Sequence, residues 1–191
     1  FGRSLLTAQM PGRWSYLSSL GMLGSSIPTA LAAKVAFPDS RVIAFTGDGA
    51  FGFNGMELDT AVRNNLPIVV VVGSDGVWGI DYHQQVQLFG KAVATELLPT
   101  RYDKIAEAMG AHGEYVEQAD QLPGALQRAL AGERAHARLA ALPRASAVRG
   151  PPIRLRGERR LVSALACVAA NWSSRSASSV ACDTCSSSPT S

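Results

Sequence analysis

Two aspartates, Asp48 and Asp75, have the residue type and the setting to do chemistry. Each stands in a turn that follows an apolar strand pattern and precedes a glycine. Gly47-Asp48-Gly49 comes after residues 42–45, and Ser74-Asp75-Gly76 comes after residues 68–72. The two acids are 27 residues apart. Glycine lets backbone approach a ligand closely. Two carboxylates set in bare backbone suit a hard cation such as Mg²⁺, which takes oxygen ligands and uses one or two carboxylates together with phosphate oxygens and water. The helical pattern after Asp48 turns its N-terminus to the same place, where free N–H groups can hold a phosphate. The residues read as a site for a metal-bridged diphosphate. A lone Gly-Asp-Gly is a common turn; a second acid-glycine turn at this spacing, after a buried strand, makes the pair informative.

The elements that must position these acids form one strand–helix–strand unit: strand 42–45, helix 54–63, strand 68–72. The second strand is almost wholly β-branched and is expected to be buried on both faces. Such crossovers between parallel strands are right-handed, so both turns fall at the carboxyl edge of the sheet, where open α/β sheets bind ligands. Upstream, Gly21 and Gly24 flank Leu23, and Pro28 suits the first turn of a helix over 29–35. Downstream, 78–88 is amphipathic and reads as a short helix or an active-site loop. Its Asp81, His83 and Gln84 are conspicuous, but a lone histidine beside Gln and Tyr earns no catalytic role. A helix over 102–109, a strand over 111–116 and a helix over 121–131 follow, the last with Leu122, Leu126 and Leu130 on one face. The expected fold is α/β: a doubly wound parallel sheet with helices on both faces.

That fold calls for a further strand, yet residues 134–160 are rich in Arg, Ala and Pro and show no sheet pattern. The charge changes there too. Residues 1–133 hold 9 Lys and Arg against 13 Asp and Glu; residues 134–191 hold 9 Arg against 2 acids. The expected division is a folded domain over 1–132 and a tail over 133–191, Arg/Ala/Pro-rich then Ser-rich, disordered or read in a shifted frame. Sequencing the transcript tests the frame. The start at Phe1-Gly2-Arg3-Ser4 suggests a fragment, with no signal-peptide pattern. At 47% hydrophobic residues and mean hydropathy +0.08 the composition is globular, and no apolar run is long enough to cross a bilayer. No membrane partner is expected, and the cytoplasm is the default compartment. The Arg-rich run lacks interleaved aromatics or a recognisable module, so no nucleic-acid partner is expected. Cys182 and Cys185 form a lone CxxC without the second half of a zinc site.

The run GDGAFGFNGMELDTAVRNNLPIVVVV, with its second turn, resembles the diphosphate-binding domain of thiamine diphosphate (ThDP) enzymes, nearest to acetolactate synthase-like proteins and the related oxalyl-CoA decarboxylases and 2-hydroxyacyl-CoA lyases. The resemblance covers about two thirds of the chain. It implies a ThDP-dependent lyase or transferase acting on a 2-oxo acid or acyl-CoA substrate. It also implies that Asp48, Asp75 and the Val77 carbonyl hold Mg²⁺. Gly49, Ala50, Val77 and Trp78 would meet the diphosphate, with Trp78 equally readable as a pocket-wall or core aromatic. Gly21 and Leu23 would seat the aminopyrimidine. One position departs: the family's Asn-Asn pair is Ser74-Asp75 here, which adds a negative charge beside an anionic diphosphate. The family's catalytic glutamate belongs to a pyrimidine-binding domain, so no catalytic residue is assigned, and that domain is expected from missing sequence or another subunit of a homo-oligomer, a dimer by resemblance. Glu57 and Asp59 read as a solvated or interface helix face. Two other classes compete: a noncatalytic fragment or interaction module, and, more weakly, a Rossmann dinucleotide binder, whose phosphate turn would not welcome Asp48.

Overall fold

The structure is a computed structural model that describes residues 14–15, 21–131 and 138–142. The Arg- and Ser-rich stretch beyond 142, Cys182 and Cys185 included, lies outside the described residues. The valine run builds the centre. Strand β1 (Val42–Gly47) pairs in parallel with β2 (Ile68–Gly73), in register from Val42 opposite Ile68 to Gly47 opposite Gly73. Ile68, Val69, Val70, Val71 and Val72 are all buried. Successive side chains of a strand point to opposite faces, and here they feed two cores. Ile68, Val70 and Val72 join Ile27, Leu31 and Leu58 on one face. Val69 and Val71 join Val116, Leu122 and Leu126 on the other.

Helices therefore cover both faces, as a doubly wound sheet requires. The first face takes α1 (Ser26–Ala36), α2 (Asp48–Asn54), α3 (Glu57–Arg63) and, after α4 (Gly79–Phe89), α5 (Tyr102–Ala108). The second takes α6 (Leu122–Ala131). Strand β3 (His112–Tyr115) lies at an edge, and β4 (Arg138–Leu142) sits between it and β2, giving the order β1-β2-β4-β3 with every pairing parallel. No helix among the described residues is long and apolar enough to cross a membrane.

Two features differ from the sequence expectation. A strand does follow α6, at Arg138–Leu142, where no sheet pattern was legible. Its backbone serves two neighbours at once, from Val69 opposite Arg138 to Gly73 opposite Leu142, and from His112 opposite Arg138 to Tyr115 opposite Ala141. Without it, the backbone N–H and C=O groups on facing edges of β2 and β3 would lack partners. The helix expected over 54–63 is instead two helices, starting at Asp48 and broken at Gly55 and Met56. Gly55 keeps helical dihedrals, φ −61° and ψ −29°, and packing requires a glycine there: a Cβ at Gly55 would come within 2.7 Å of Phe51 Cζ. The Phe51 ring is buried and meets Tyr102 edge-on, with centroids 5.1 Å apart. An ordinary side chain at 55 would displace that ring.

An ion pair within the start of α5 holds Arg101 in place, and the stacking of its guanidinium on Tyr115 ties that start to β3. Arg101 Nε donates to Asp103 Oδ1 at 2.8 Å and Nη2 to Oδ2 at 2.6 Å, while the guanidinium lies 4.3 Å above the centre of the Tyr115 ring. Asp103 is buried, and the Arg101 hydrogen bonds hold its carboxyl below the ordinary 3.8. A carboxyl depressed in the folded state contributes stability that is complete above its unfolded pKa and lost as pH falls through the folded one. Melting temperatures taken from about pH 5 to about pH 2 should therefore fall on the acid side, and Asp103→Asn should start lower and show a shallower fall below the unfolded pKa. An acid limb of unchanged slope in the variant would remove Asp103 as its source.

Candidate functional site

The first turn is made by the end of β1 running into α2. Gly47 is still extended, at φ −81° and ψ 165°, and Asp48 is the first helical residue. Its carboxylate is 3% exposed and bound on both oxygens. Oδ1 accepts the Gly49 N–H at 2.9 Å. Oδ2 accepts the Ser74 hydroxyl and the Gly76 N–H, each at 2.9 Å. These last two bonds bring together turns separated by the whole crossover. Gly76 delivers its N–H from a left-handed conformation, φ +72°, that a side chain would resist.

Asp75 is half-buried and turned along its own strand exit. Its Oδ1 accepts the Val77 N–H at 3.2 Å, and Oδ2 lies 3.0 Å from where a Cβ on Gly79 would stand, so this carboxylate faces the start of α4. Val77 is buried and bridges Glu96 in antiparallel fashion. The Trp78 N–H donates to the Thr95 carbonyl at 2.7 Å and the Leu97 N–H to the Gly76 carbonyl at 2.8 Å. The Trp78 ring lies flush on the first turn: a Cβ on Gly49 would sit 2.8 Å from its Cε3. Phe53 meets the same ring edge-on at 5.9 Å. Of three N–H groups expected to face a diphosphate, those of Gly49 and Val77 thus donate within their own turns, and that of Trp78 donates to the segment at 95–97.

The glycine loop stands against the far end of α2. Gly21 and Gly24 have φ of +55° and +82°, and Met22 and Leu23 between them are about half exposed. A Cβ on Gly24 would lie 2.5 Å from Phe53 Cβ, and Asn54 Nδ2 donates to the Gly24 carbonyl at 3.3 Å. Helix α2 therefore has Asp48 at one end and the glycine loop at the other. His83 is exposed on α4, edge-on to Tyr82, and Asp59 pairs with Arg63 one turn away on α3. The partners of both side chains thus lie on their own helices, away from the Asp48 turn.

Sequence reasoning missed three contributors. Ser74 was seen as a departure, not as the donor that joins the turns. The segment at 95–97, which pairs with the second turn, carried no assignment; its signal was the alternation of Val93, Thr95 and Leu97. Thr95 is buried, and its hydroxyl has no hydrogen-bond partner among the described residues. Tyr102 braces Phe51 from behind; burial pushes its hydroxyl pKa up, and the Asp48 charge adds to the rise.

The donor set fits a hard cation that shares its shell with a ligand. Among the described residues no three His, Cys, Asp or Glu side chains gather into a metal cage. The two turns offer carboxylates and main-chain oxygens, and Mg²⁺ is usually held by one or two carboxylates plus phosphate and water. A carboxylate has about four lone-pair positions; the Asp48 bonds fill three, two on Oδ2 and one on Oδ1, which leaves one for a cation.

Residues 2–139 match the family model described as thiamine pyrophosphate enzyme, C-terminal TPP binding domain. The chain is 46% identical over 128 residues to the acetolactate synthase large subunit IlvG of Mycobacterium tuberculosis, covering 66% of this chain and 23% of that protein. It is 41% identical to a sulfoacetaldehyde acetyltransferase of Alcaligenes xylosoxydans xylosoxydans over 59% of this chain and 19% of the relative. With 2-hydroxyacyl-CoA lyase 2 of Caenorhabditis elegans the identity is 37%, over 63% and 19%. Among solved structures, a thiamine diphosphate-dependent 4-hydroxybenzoylformate decarboxylase of Rhodococcus jostii RHA1 superposes with TM-score 0.59 at 25% identity, over 63% of this chain and 23% of that one. The chain thus spans about a fifth of the length of these relatives.

Proposed function

This chain belongs to the thiamine pyrophosphate enzyme family, as its C-terminal TPP binding domain, and on that premise we propose that it binds ThDP through Mg²⁺ as part of an acetolactate synthase-like enzyme acting on 2-oxo acids. The observation that carries this reading is the buried Asp48 carboxylate, drawn to the second turn by Ser74 and Gly76. Asp48, Asp75 and the Val77 carbonyl would hold the cation. Gly49, Ala50, Val77 and Trp78 would wall the diphosphate, with Gly21 and Leu23 at the pyrimidine end. When bound, ThDP supplies stabilisation of negative charge at the substrate's reacting carbon. This chain's residues orient it and shield the diphosphate side. Because β4 (Arg138–Leu142) belongs to the sheet, the binding unit would run to about residue 142, past the division expected at 132.

The other wall of the site would come from a pyrimidine-binding domain, in missing sequence or in another subunit. Met22, Leu23, Phe53 and Met56 support that reading, because they expose apolar surface around the loop and α2 at more than half of their area. A soluble cytoplasmic setting goes with the same proposal. A second reading, a noncatalytic module that keeps the fold, draws on Asp75 being turned toward α4.

Calorimetric titration of ThDP into the full chain, with and without Mg²⁺, tests the proposal. We expect saturable binding in Mg²⁺ and little without it. A folded chain that takes up no ThDP in either condition would favour the noncatalytic module, and NADH uptake would favour a dinucleotide site.

A further inference from the structure

Ser74 stands where its hydroxyl can choose which oxygen of Asp48 meets a cation, and we propose that it is a positioning residue that makes the site selective for Mg²⁺ over larger divalent ions. This inference rests on the reading of the two turns as a Mg²⁺–diphosphate seat. Oδ2 of Asp48 takes two donors, the Ser74 hydroxyl and the Gly76 N–H, both at 2.9 Å. Those bonds use both lone-pair positions of that oxygen. Oδ1 takes the Gly49 N–H and keeps one position. The carboxylate is therefore restricted to monodentate coordination through Oδ1, in an orientation set from the second turn.

That restriction has a chemical consequence. Mg²⁺ requires a near-ideal octahedron of single oxygen contacts, whereas Ca²⁺ accepts six to eight ligands and bidentate carboxylates. A carboxylate pinned to one available lone pair suits the first ion and wastes the tolerance of the second. The Gly76 N–H belongs to the backbone and survives any change of side chain at 74. The hydroxyl is the removable half of the clamp. Without it Oδ2 regains a lone pair, and the carboxylate can turn or bind bidentate.

The test is a pair of titrations, Mg²⁺ and Ca²⁺, into the full chain at saturating ThDP, followed by Trp fluorescence and calorimetry. Trp78 lies on the Gly49 turn, and replacing Trp14 and Trp172 with Phe makes the optical signal local. Loss of an outer-shell partner typically lowers metal affinity about 10–100-fold. Ser74→Ala should weaken Mg²⁺ by that factor and Ca²⁺ by roughly threefold or less, while Ser74→Thr, which keeps the hydroxyl, restores the parent preference. Should Ser74→Ala not fold, Ser74→Cys replaces it, and its weaker donor should give an intermediate Mg²⁺ affinity. A parent chain without Mg²⁺-dependent ThDP binding overturns the underlying reading. A parent that binds, with variants whose Mg²⁺ to Ca²⁺ ratio is unmoved or whose losses are equal for both ions, overturns the role of Ser74 alone.

Discussion

Alanine in place of Asp48 is expected to weaken Mg²⁺-dependent ThDP binding by about 100-fold or more, equivalent to about 2.8 kcal/mol at 1.4 kcal/mol per tenfold. The substitution removes more than one contact. The proposed metal ligand goes, and three donors, the Ser74 hydroxyl and the N–H groups of Gly49 and Gly76, lose their acceptor. Leaving buried donors unpaired costs about 1–3 kcal/mol, so the variant should also melt earlier in the absence of ThDP. Asp48→Asn separates the two effects. One amide oxygen can still accept from Ser74 and Gly76, which keeps the turns joined, but the charge that attracts a divalent cation is gone. Its metal-free melting temperature should stay nearer the parent's while its Mg²⁺-dependent binding falls with that of Asp48→Ala. Calorimetry on the three proteins decides. Retention of parent affinity in a folded Asp48→Ala would dispose of Asp48 as a ligand, and with it the functional reading.

How much of this was legible from residues alone depends on whether the cause was local. The valines of β2 announce a strand buried on both faces, and the structure divides them between two cores. Gly47-Asp48-Gly49 and Ser74-Asp75-Gly76 announce two turns at one sheet edge, since a glycine before or after a strand-end acid has few other uses. Strand β4 was not legible because Arg-Leu-Ala-Ala-Leu has no alternation and little β preference. Its conformation is set by neighbours on both sides. The need for glycine at 55 was hidden for a related reason: it depends on where the Phe51 ring goes, and Tyr102, 51 residues away, helps decide that. At the site, residue types suggested carboxylates and backbone, but not that Ser74 would reach back to the first of them. A serine hydroxyl has many partners within reach, and the partner it takes is a property of the fold.

The same dependence on distant packing makes Gly113→Ala the most damaging of the small substitutions. Gly113 lies in β3 directly against the backbone of Asp103 at the start of α5. A Cβ built there would stand 2.7 Å from the Asp103 carbonyl carbon and 2.9 Å from its Cα, and closer still to the carbonyl oxygen. These are backbone atoms of a buried residue whose side chain is held by the Arg101 fork, so no rotamer change can make room. Either β3 or α5 must shift. Overpacking of a well-filled interior typically costs about 1–3 kcal/mol, and more where backbone is forced to move. We expect a loss of about 2–4 kcal/mol, which for a domain of this size lowers the melting temperature by roughly 8–15 °C. Gly52→Ala is the matched control. The same methyl is added, in α2, at an exposed position with nothing within 4 Å, and relief of glycine's conformational freedom should leave that protein unchanged or slightly more stable. The damage at Gly113 should reach the site as well, because α5 carries Tyr102, Tyr102 braces Phe51, and Phe51 belongs to the helix that begins at Asp48. Binding of ThDP by the folded fraction should therefore weaken in Gly113→Ala and not in Gly52→Ala. Melting curves of the two variants that coincide would show that the contact between β3 and the start of α5 is looser than its geometry implies, and would break the first link from that edge to the proposed metal site.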